Sequence, residues 1–297
     1  MNILITGGTG FIGKVLCQSL LQKQHQLTVL SRHPEKVPEL CGIPVHAISD
    51  INSIPENEHF DAIINLAGEG IADARWTAKR KQLLRDSRIK TTQQLVDYMK
   101  KTKHKPAIFI SGSAIGFYGD QGSKTLTESS DVMNDYAHQL CAEWETVALK
   151  AENLGIRVCI LRTGLVLGDD GGFLVKMLPA FKLGLGGQLG NGQQWMSWIH
   201  RSDLISIIEK MLKDESMQGT YNGTAPAPVT NKAFSKTLAK KLNRPAIFPV
   251  PAVILKLLLG EMAELLLGSQ RVIPDRLEKT DFRFKFVTLE EALDDVL

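Results

Sequence analysis

Gly7, Gly10 and Gly13 lie between an apolar run, Met1 to Thr6, and an amphipathic helical pattern carrying Phe11, Ile12, Val15, Leu16, Leu20 and Leu21 on one face. That context suits a phosphate cradle. Gly7 lets the chain turn sharply out of a strand. Gly10 has no Cβ, so a pyrophosphate can approach the backbone, and Gly13 lets the helix pack closely on a sheet. Free N–H groups and the positive end of the helix dipole then face the phosphates. The candidate contacts are Gly7, Thr9, Gly10, Phe11, Ile12 and Gly13. An ordinary tight turn between strand and helix is the bland alternative.

The second strand, Gln26 to Leu30, runs into Ser31-Arg32. A dinucleotide site that takes NAD places an acid here, about 20 residues past the glycines, on the ribose 2′-hydroxyl. No Asp or Glu stands at this position. A hydroxyl and a guanidinium suit a 2′-phosphate, so the expected cofactor is NADP. The alternative for Arg32 is a solvated surface charge. Asp50, after the short strand Val45 to Ile48, suits an adenine amino group or a helix cap equally. The run Asp61 to Gly68 reads as a buried strand. It ends in Leu66, Ala67 and Gly68, the last two small, as suits a place where backbone passes a cofactor.

These residues need a scaffold. Strands are expected at Ala107–Ser111 and Arg157–Arg162, with helices near 77–101 and 134–153. The alternation βαβαβ predicts a doubly wound parallel sheet covered on both faces, whose ligands bind beyond the carboxyl ends of the strands. Past residue 168 the pattern loosens. Helices are expected near Phe173–Leu183 and Asn231–Leu242, and a short strand at Gly219–Asn222. Val250–Leu267 reads as one buried amphipathic helix, too interrupted by charge to span a bilayer. Phe282, Phe284 and Phe286 alternate as in a strand.

Composition sets outer limits. The chain has 297 residues, 43% hydrophobic, with a net charge of +3. That is enough apolar material for a sizeable core, and the charge balance gives no reason to expect a nucleic-acid or membrane surface. Cys17, Cys41, Cys141 and Cys159 are scattered without metal or redox spacing, so no metal site is expected and free thiols in a reducing compartment are. The first strand begins at once, leaving no room for a signal peptide, which points to a cytoplasmic protein.

Together TGGTGFIG at 6–13, NLAG at 65–68, SGSAIGFYG at 111–119, LRTGLVLG at 161–168 and WIHRSDL at 198–204 resemble the extended short-chain dehydrogenase/reductases, the group of nucleotide-sugar epimerases and dehydratases. WETVA at 144–148, GLGGQLGNGQQ at 184–194, NGTAPAPVTN at 222–231 and SQRVIPDRL at 269–277 are similar to the atypical "sugar epimerase family" branch, which carries a small C-terminal domain of unknown function. The resemblance spans the chain and implies a Rossmann domain at 1–222 and a smaller, mixed, substrate-side domain at 223–297.

Extended members use a Ser, a Tyr with a Lys four residues on, and an upstream Asn. Carried over, Ser113 would orient a substrate oxygen and Tyr136 would carry the proton. The Lys position holds Leu140, and near the Asn position the chain reads Asp86-Ser87-Arg88. A phenol with a pKa near ~10 is a poor base at neutral pH without such a Lys. Arg88 suits either the cofactor or a plain helix surface. The resemblance lays Val166 backbone against the nicotinamide. It puts Trp195, Trp198 and His200 near the substrate, with Arg75 and Trp76 opposite. Packing is the preferred reading of Trp198, and Tyr118 and His138 are weaker candidates for chemistry. Relatives often pair through the helices near 77–101 and 134–153, so a homodimer is a further expectation.

Two readings follow. One is an NADP-dependent oxidoreductase or epimerase acting on a hydroxyl or carbonyl compound, a small molecule of the sugar-derivative kind. The other is a non-catalytic NADP(H)-binding sensor or regulatory module with a degenerate site. A purely structural protein would leave the glycine loop and Ser31-Arg32 unexplained.

Overall fold

The computed structural model describes all 297 residues. In chain order the first half contains β1 (Asn2–Thr6), α1 (Gly13–Gln22), β2 (Gln26–Leu30), α2 (Val37–Cys41), β3 (His46–Ile48), β4 (Ala62–Asn65), α3 (Ala78–Lys101), β5 (Ile108–Ala114), β6 (Thr125–Leu126), α4 (Tyr136–Leu149) and β7 (Arg157–Thr163). The second half adds β8 (Leu165–Leu167), α5 (Gly172–Lys182), β9 (Trp195–Met196), β10 (Trp198–His200), α6 (Arg201–Lys213), β11 (Gly219–Gly223), β12 (Val229–Thr230), α7 (Asn231–Lys241), α8 (Ala252–Leu259), α9 (Glu264–Leu267), β13 (Arg271–Val272), α10 (Asp275–Glu278) and α11 (Leu289–Val296).

Seven strands make one parallel sheet in the order β11-β7-β5-β4-β1-β2-β3. Its strands are apolar on both faces because both are covered. Ile3, Ile5, Ile64, Ile110 and Leu161 point to a core shared with α1, α2 and α6. Leu4, Ile63, Phe109 and Ile160 point the other way, to a core shared with α3 and α4. The strand order reverses between β1 and β4, each with a crossover on a different side. Such a switch point opens a crevice at the carboxyl ends of the strands.

A third core holds the smaller body together. Leu174 and Phe181 of α5, Trp198, Phe234 and Leu238 of α7, and Leu289, Leu293 and Val296 of α11 build it. It draws on residues on both sides of position 222, because α5 and β8–β10 pack there before the chain returns through α6 and β11 to the large sheet. Only short two-stranded pairs accompany it, β8 with β10 and β9 with β12, while β6 with β13 packs in a separate small cluster with Ile115 and Tyr118.

Two expectations for the C-terminal part are corrected. Residues 282–286 form no strand. The buried Asp203 accepts hydrogen bonds from the Lys285 and Phe286 N–H groups at 2.8 and 3.0 Å in place of a strand partner. Their rings alternate because they serve different neighbours. Phe282 and Phe284 meet edge to face, while Phe286 lies 3.9 Å from the His200 ring. Nor is Val250–Leu267 one buried helix. It stops at Gly260, whose φ of +60° suits glycine, passes through a 3₁₀ turn and resumes as α9. Val253 and Leu257 are 78% and 76% exposed. No helix is long and apolar enough to cross a membrane.

Asp203 thus ties the tail to α6. Asp203→Ala leaves two N–H groups without acceptors, and buried unpaired groups cost about 1–3 kcal/mol each. Chemical denaturation of this variant is expected to show stability lower by about 2 kcal/mol or more. An unchanged midpoint would mean the tail is held by its apolar contacts alone.

Candidate functional site

The glycine loop follows from atoms in near contact. Gly7 has φ +72°, and a Cβ there would lie 2.5 Å from the Leu66 carbonyl. A Cβ on Gly13 would fall 2.1 Å from the Gly7 oxygen. Gly10 differs. It is exposed, and its only close neighbour would be that same oxygen, at 3.2 Å. The cradle is therefore closed by Gly7 and Gly13 and open over Gly10. The Phe11 and Ile12 N–H groups have no acceptor within the protein. They stand at the start of α1, where unpaired donors and the helix dipole favour an anion.

The crevice floor is a buried chain of side chains. Thr6 Oγ1 donates to Asn65 Oδ1 at 2.6 Å, and Asn65 Nδ2 donates to Thr92 Oγ1 at 2.8 Å. Trp144 Nε1 donates to the same Thr92 oxygen at 2.9 Å. This fixes β1, β4, α3 and α4 to one another beneath Leu66, Ala67 and Gly68. Thr92 sits mid-helix and Asn65 at a strand end, and each alone reads as an ordinary polar residue. The sequence signal that existed was the Asn in NLAG.

Arg88 reaches the same loop from below. Its guanidinium lies against Gly68, and a Cβ there would come within 2.9 Å of it. It donates to the Leu84 and Glu69 carbonyls, both at 3.0 Å, and stacks on Trp144. No carboxylate pairs with it, and burial pulls its pKa below the ordinary arginine range. Ser87 Oγ accepts from the Glu69 N–H at 3.0 Å. Arg88 and Ser87 together hold the 68–69 backbone in place, and Arg80 donates to the Gly70 carbonyl.

At the rim, Ser31 Oγ accepts from the His33 N–H, and Arg32 extends to Glu69 at 2.7 Å. Asp50 caps a short 3₁₀ turn, accepting from Asn52 N and Nδ2, both at 2.9 Å. Of its two readings, the cap is the one this geometry displays. Phe11 is sandwiched. Gly168, Gly171 and Gly172 crowd its ring and the Arg201 guanidinium lies over it at 4.7 Å. Asp169 holds Arg201 at 2.6 Å, while Asp170 pairs with both Arg201 and Lys14, the latter at 2.7 Å. This seat for the segment after β8 was not legible beforehand, because Arg201 and Phe11 are far apart in sequence. Val166 lies in β8 itself, just before that segment, half-buried and paired with Ile199.

The structure does not bring Ser113 and Tyr136 to one hydrogen-bonded centre. Ser113 is buried and donates to Glu145 Oε1 at 2.6 Å. Glu145 is gripped by Arg162 through Nε at 2.9 Å and Nη2 at 2.8 Å. Arg162 also donates to the Tyr118 hydroxyl, which donates in turn to Asn222. Tyr118 and Arg162 therefore belong to an internal network between β5, β7, α4 and β11. His138 likewise bonds the Phe117 carbonyl at 2.6 Å. Trp198 is fully buried and donates to the Ala227 carbonyl, as packing requires. Trp195 carries Arg271 over its ring, and His200 heads α6 beside Asp295.

Tyr136 stands at the head of α4, half-buried. Its ring meets Trp76 edge-on at 4.8 Å, and its hydroxyl donates to the Lys81 carbonyl at 3.3 Å. Burial raises its pKa, against the opposing pull of Arg88. Leu140 packs with Trp76, Leu84 and Met262. A lysine there would strand its charge among apolar groups. The nearest cation to the phenol ring is Lys81, 4.6 Å above its centroid and paired with Glu261. Arg75 donates to the Leu257 and Leu258 carbonyls at the end of α8. The smaller body thus reaches the surroundings of Tyr136 through 257–262.

The match to known proteins is extensive. A model described as the NAD dependent epimerase/dehydratase family covers residues 3–222, and one described as Domain of unknown function (DUF1731) covers 250–296. The chain belongs to the NAD dependent epimerase/dehydratase family. Within it, the chain is 38% identical to the "Epimerase family protein SDR39U1 homolog, chloroplastic" of Arabidopsis thaliana, over 99% of this chain and 86% of that one. It is 38% identical to the "Epimerase family protein YfhF" of Bacillus subtilis, over 100% and 98%. Human epimerase family protein SDR39U1, crystallised with NADPH, superposes with a TM-score of 0.90 at 32% identity, over 100% of this chain and 99% of that one. UDP-glucuronic acid 4-epimerase from Bacillus cereus shares the fold, with a TM-score of 0.80 at 19% identity.

The Ser113–Glu145–Arg162 cluster makes a stability prediction. Removing one partner of a buried ion pair costs about 3–5 kcal/mol. Glu145→Ala is therefore expected to lower unfolding stability by roughly that amount, because Arg162 is left buried and uncompensated. Differential scanning calorimetry checks it. A loss below about 1 kcal/mol would show that water or another acceptor replaces the carboxylate.

Proposed function

We propose that the protein binds NADP(H) in the crevice above β1 and β4 and acts, in the reductive direction, on a small carbonyl compound of the sugar-derivative kind. The observation that carries the cofactor reading is the pairing of an open cradle over Gly10 with Arg32 at the end of β2. No acidic residue stands at the end of β2 to claim a ribose 2′-hydroxyl. The NADPH in the human relative supports the same choice.

The residues present fit such a group. The Phe11 and Ile12 N–H groups would receive the pyrophosphate over Gly10. Ser31 and Arg32 would take the 2′-phosphate, bidentate from the guanidinium. Leu66, Ala67 and Gly68 would offer backbone beside the ribose, with Arg88 holding them. Val166 backbone would face the nicotinamide end. The cofactor, when bound, supplies hydride chemistry. The chain's own part is to orient the substrate, exclude water and hold a proton. Tyr136 suits the last role as a donor. Its raised pKa keeps the phenol protonated at neutral pH, ready to give a proton to a developing oxyanion and unable to take one.

A second reading is favoured by Leu140 and Ser113. The lysine position is filled with core, and the serine hydroxyl is engaged inside the protein. A module that holds NADP(H) without turnover would look like this.

One set of measurements separates them. NADPH fluorescence titration is expected to show saturable binding, weakened about tenfold or more by Arg32→Glu through loss of a charge-assisted contact. Oxidation of NADPH is then followed across a panel of aldehydes, ketones and nucleotide-sugar ketones. Turnover that Tyr136→Phe abolishes while NADPH still binds supports the reductase. Binding without consumption supports the module. An Arg32→Glu variant with unchanged NADPH affinity overturns the cofactor reading.

A further inference from the structure

The ion pair between Arg32 and Glu69 crosses the crevice. Arg32 follows β2, and Glu69 follows β4. In the sheet these two strands flank β1, whose carboxyl end carries the glycine loop. The guanidinium is 81% exposed and has no other carboxylate partner, while Glu69 is only 20% exposed. Glu69 also has a second cation. Arg80 lies 3.6 Å from its other oxygen, is 14% exposed, and has a buried Nε without an acceptor. The Glu69 backbone is fixed by Ser87 and Arg88. The mobile half of the pair is thus Arg32, a long side chain reaching from the nucleotide's side to an anchored carboxylate opposite.

We infer that the Arg32–Glu69 pair is a latch over the dinucleotide crevice, opened when nucleotide enters, and that a 2′-phosphate takes the place of the Glu69 carboxylate on Arg32. This rests on the NADP(H) reading and adds a role for Glu69. Opening leaves Glu69 with Arg80 and leaves Arg32 free. NADPH returns an anion to Arg32, whereas NADH returns only a hydroxyl. Glu69 therefore holds back both nucleotides, and only the phosphate compensates the arginine. Glu69 thus sets a cost that both nucleotides meet while contacting neither cofactor, and Arg32 discriminates between them.

The latch predicts a reversal of sign that simple phosphate binding does not. NADPH and NADH affinities are measured by fluorescence titration on the full chain, with unfolding midpoints recorded on the same samples. Glu69→Gln is expected to tighten both nucleotides about two- to fivefold, the range for a partly exposed ion pair. Arg32→Ala is expected to weaken NADPH about tenfold or more, yet to tighten NADH by the same two- to fivefold. The double variant should gain nothing further for NADH, because one interaction has been removed twice. NADH affinity unchanged in both single variants, with midpoints intact, overturns the latch and leaves the cofactor reading standing. Weaker NADPH in Glu69→Gln also overturns it, since Glu69 would then be a ligand. Absence of binding of either nucleotide by the native chain and both variants overturns the cofactor reading, and the latch with it.

Discussion

Asn65 joins the floor of the crevice to its walls. Its amide sits wholly inside the protein, accepting from Thr6 on β1 and donating to Thr92 on α3, and Thr92 receives Trp144 from α4. A buried amide without partners would be strongly destabilising, so each member of the chain holds the next in register. The consequence is geometric. With β1 and β4 pinned at their ends, Gly7 must pass within touching distance of the Leu66 carbonyl, and Gly13 must pack on Gly7. The loop's glycines and the Asn of NLAG are thus two halves of one constraint. The cradle exists only where both are satisfied.

That constraint explains why the front of the molecule was legible and the back was not. Glycine spacing, an apolar strand before it and a helical stripe after it all lie within a short stretch, where local geometry decides the outcome. The parallel sheet follows from continuous apolar strands alternating with helices. The polar floor could not be read the same way, because Asn65, Thr92 and Trp144 meet only after the sheet has formed. The same holds for Ser113. Its position at the end of β5 suggests a substrate contact, but Glu145 and Arg162 arrive from other elements and draw its hydroxyl inward. For 282–286, alternation of aromatics mimics a strand, while a single carboxylate, Asp203, supplies the acceptors a neighbouring strand would have given.

The smaller body contributes more than bulk. Met262 joins Leu140, Trp76 and Leu84 in one apolar cluster, and Glu261 neutralises Lys81 above the Tyr136 ring. The departure at Leu140 is therefore not an isolated loss. The space and the charge that a lysine would need are both occupied by residues of the C-terminal region, the loop before α3 and α3 itself. A phenol in such surroundings stays protonated, which limits it to giving a proton or to holding one in a hydrogen bond.

The cations around the crevice follow a common rule. Lys14 and Arg201 are held by Asp170 and Asp169, Arg32 and Arg80 share Glu69, and Arg88 is held by carbonyls. The crevice mouth is consequently not a field of free positive charge waiting for an anion. A polyanion entering it must exchange with carboxylates already in place, so net affinity reflects the difference between two sets of ion pairs rather than the sum of new contacts. The unpaired donors that need no exchange are the Phe11 and Ile12 N–H groups at the start of α1. Under the proposed NADP(H) reading, backbone would supply the constant part of anion binding, and side chains the part that can discriminate. Such a division keeps the cradle tied to the fold while leaving selectivity to residues at the rim, where substitution does not disturb the Asn65 floor.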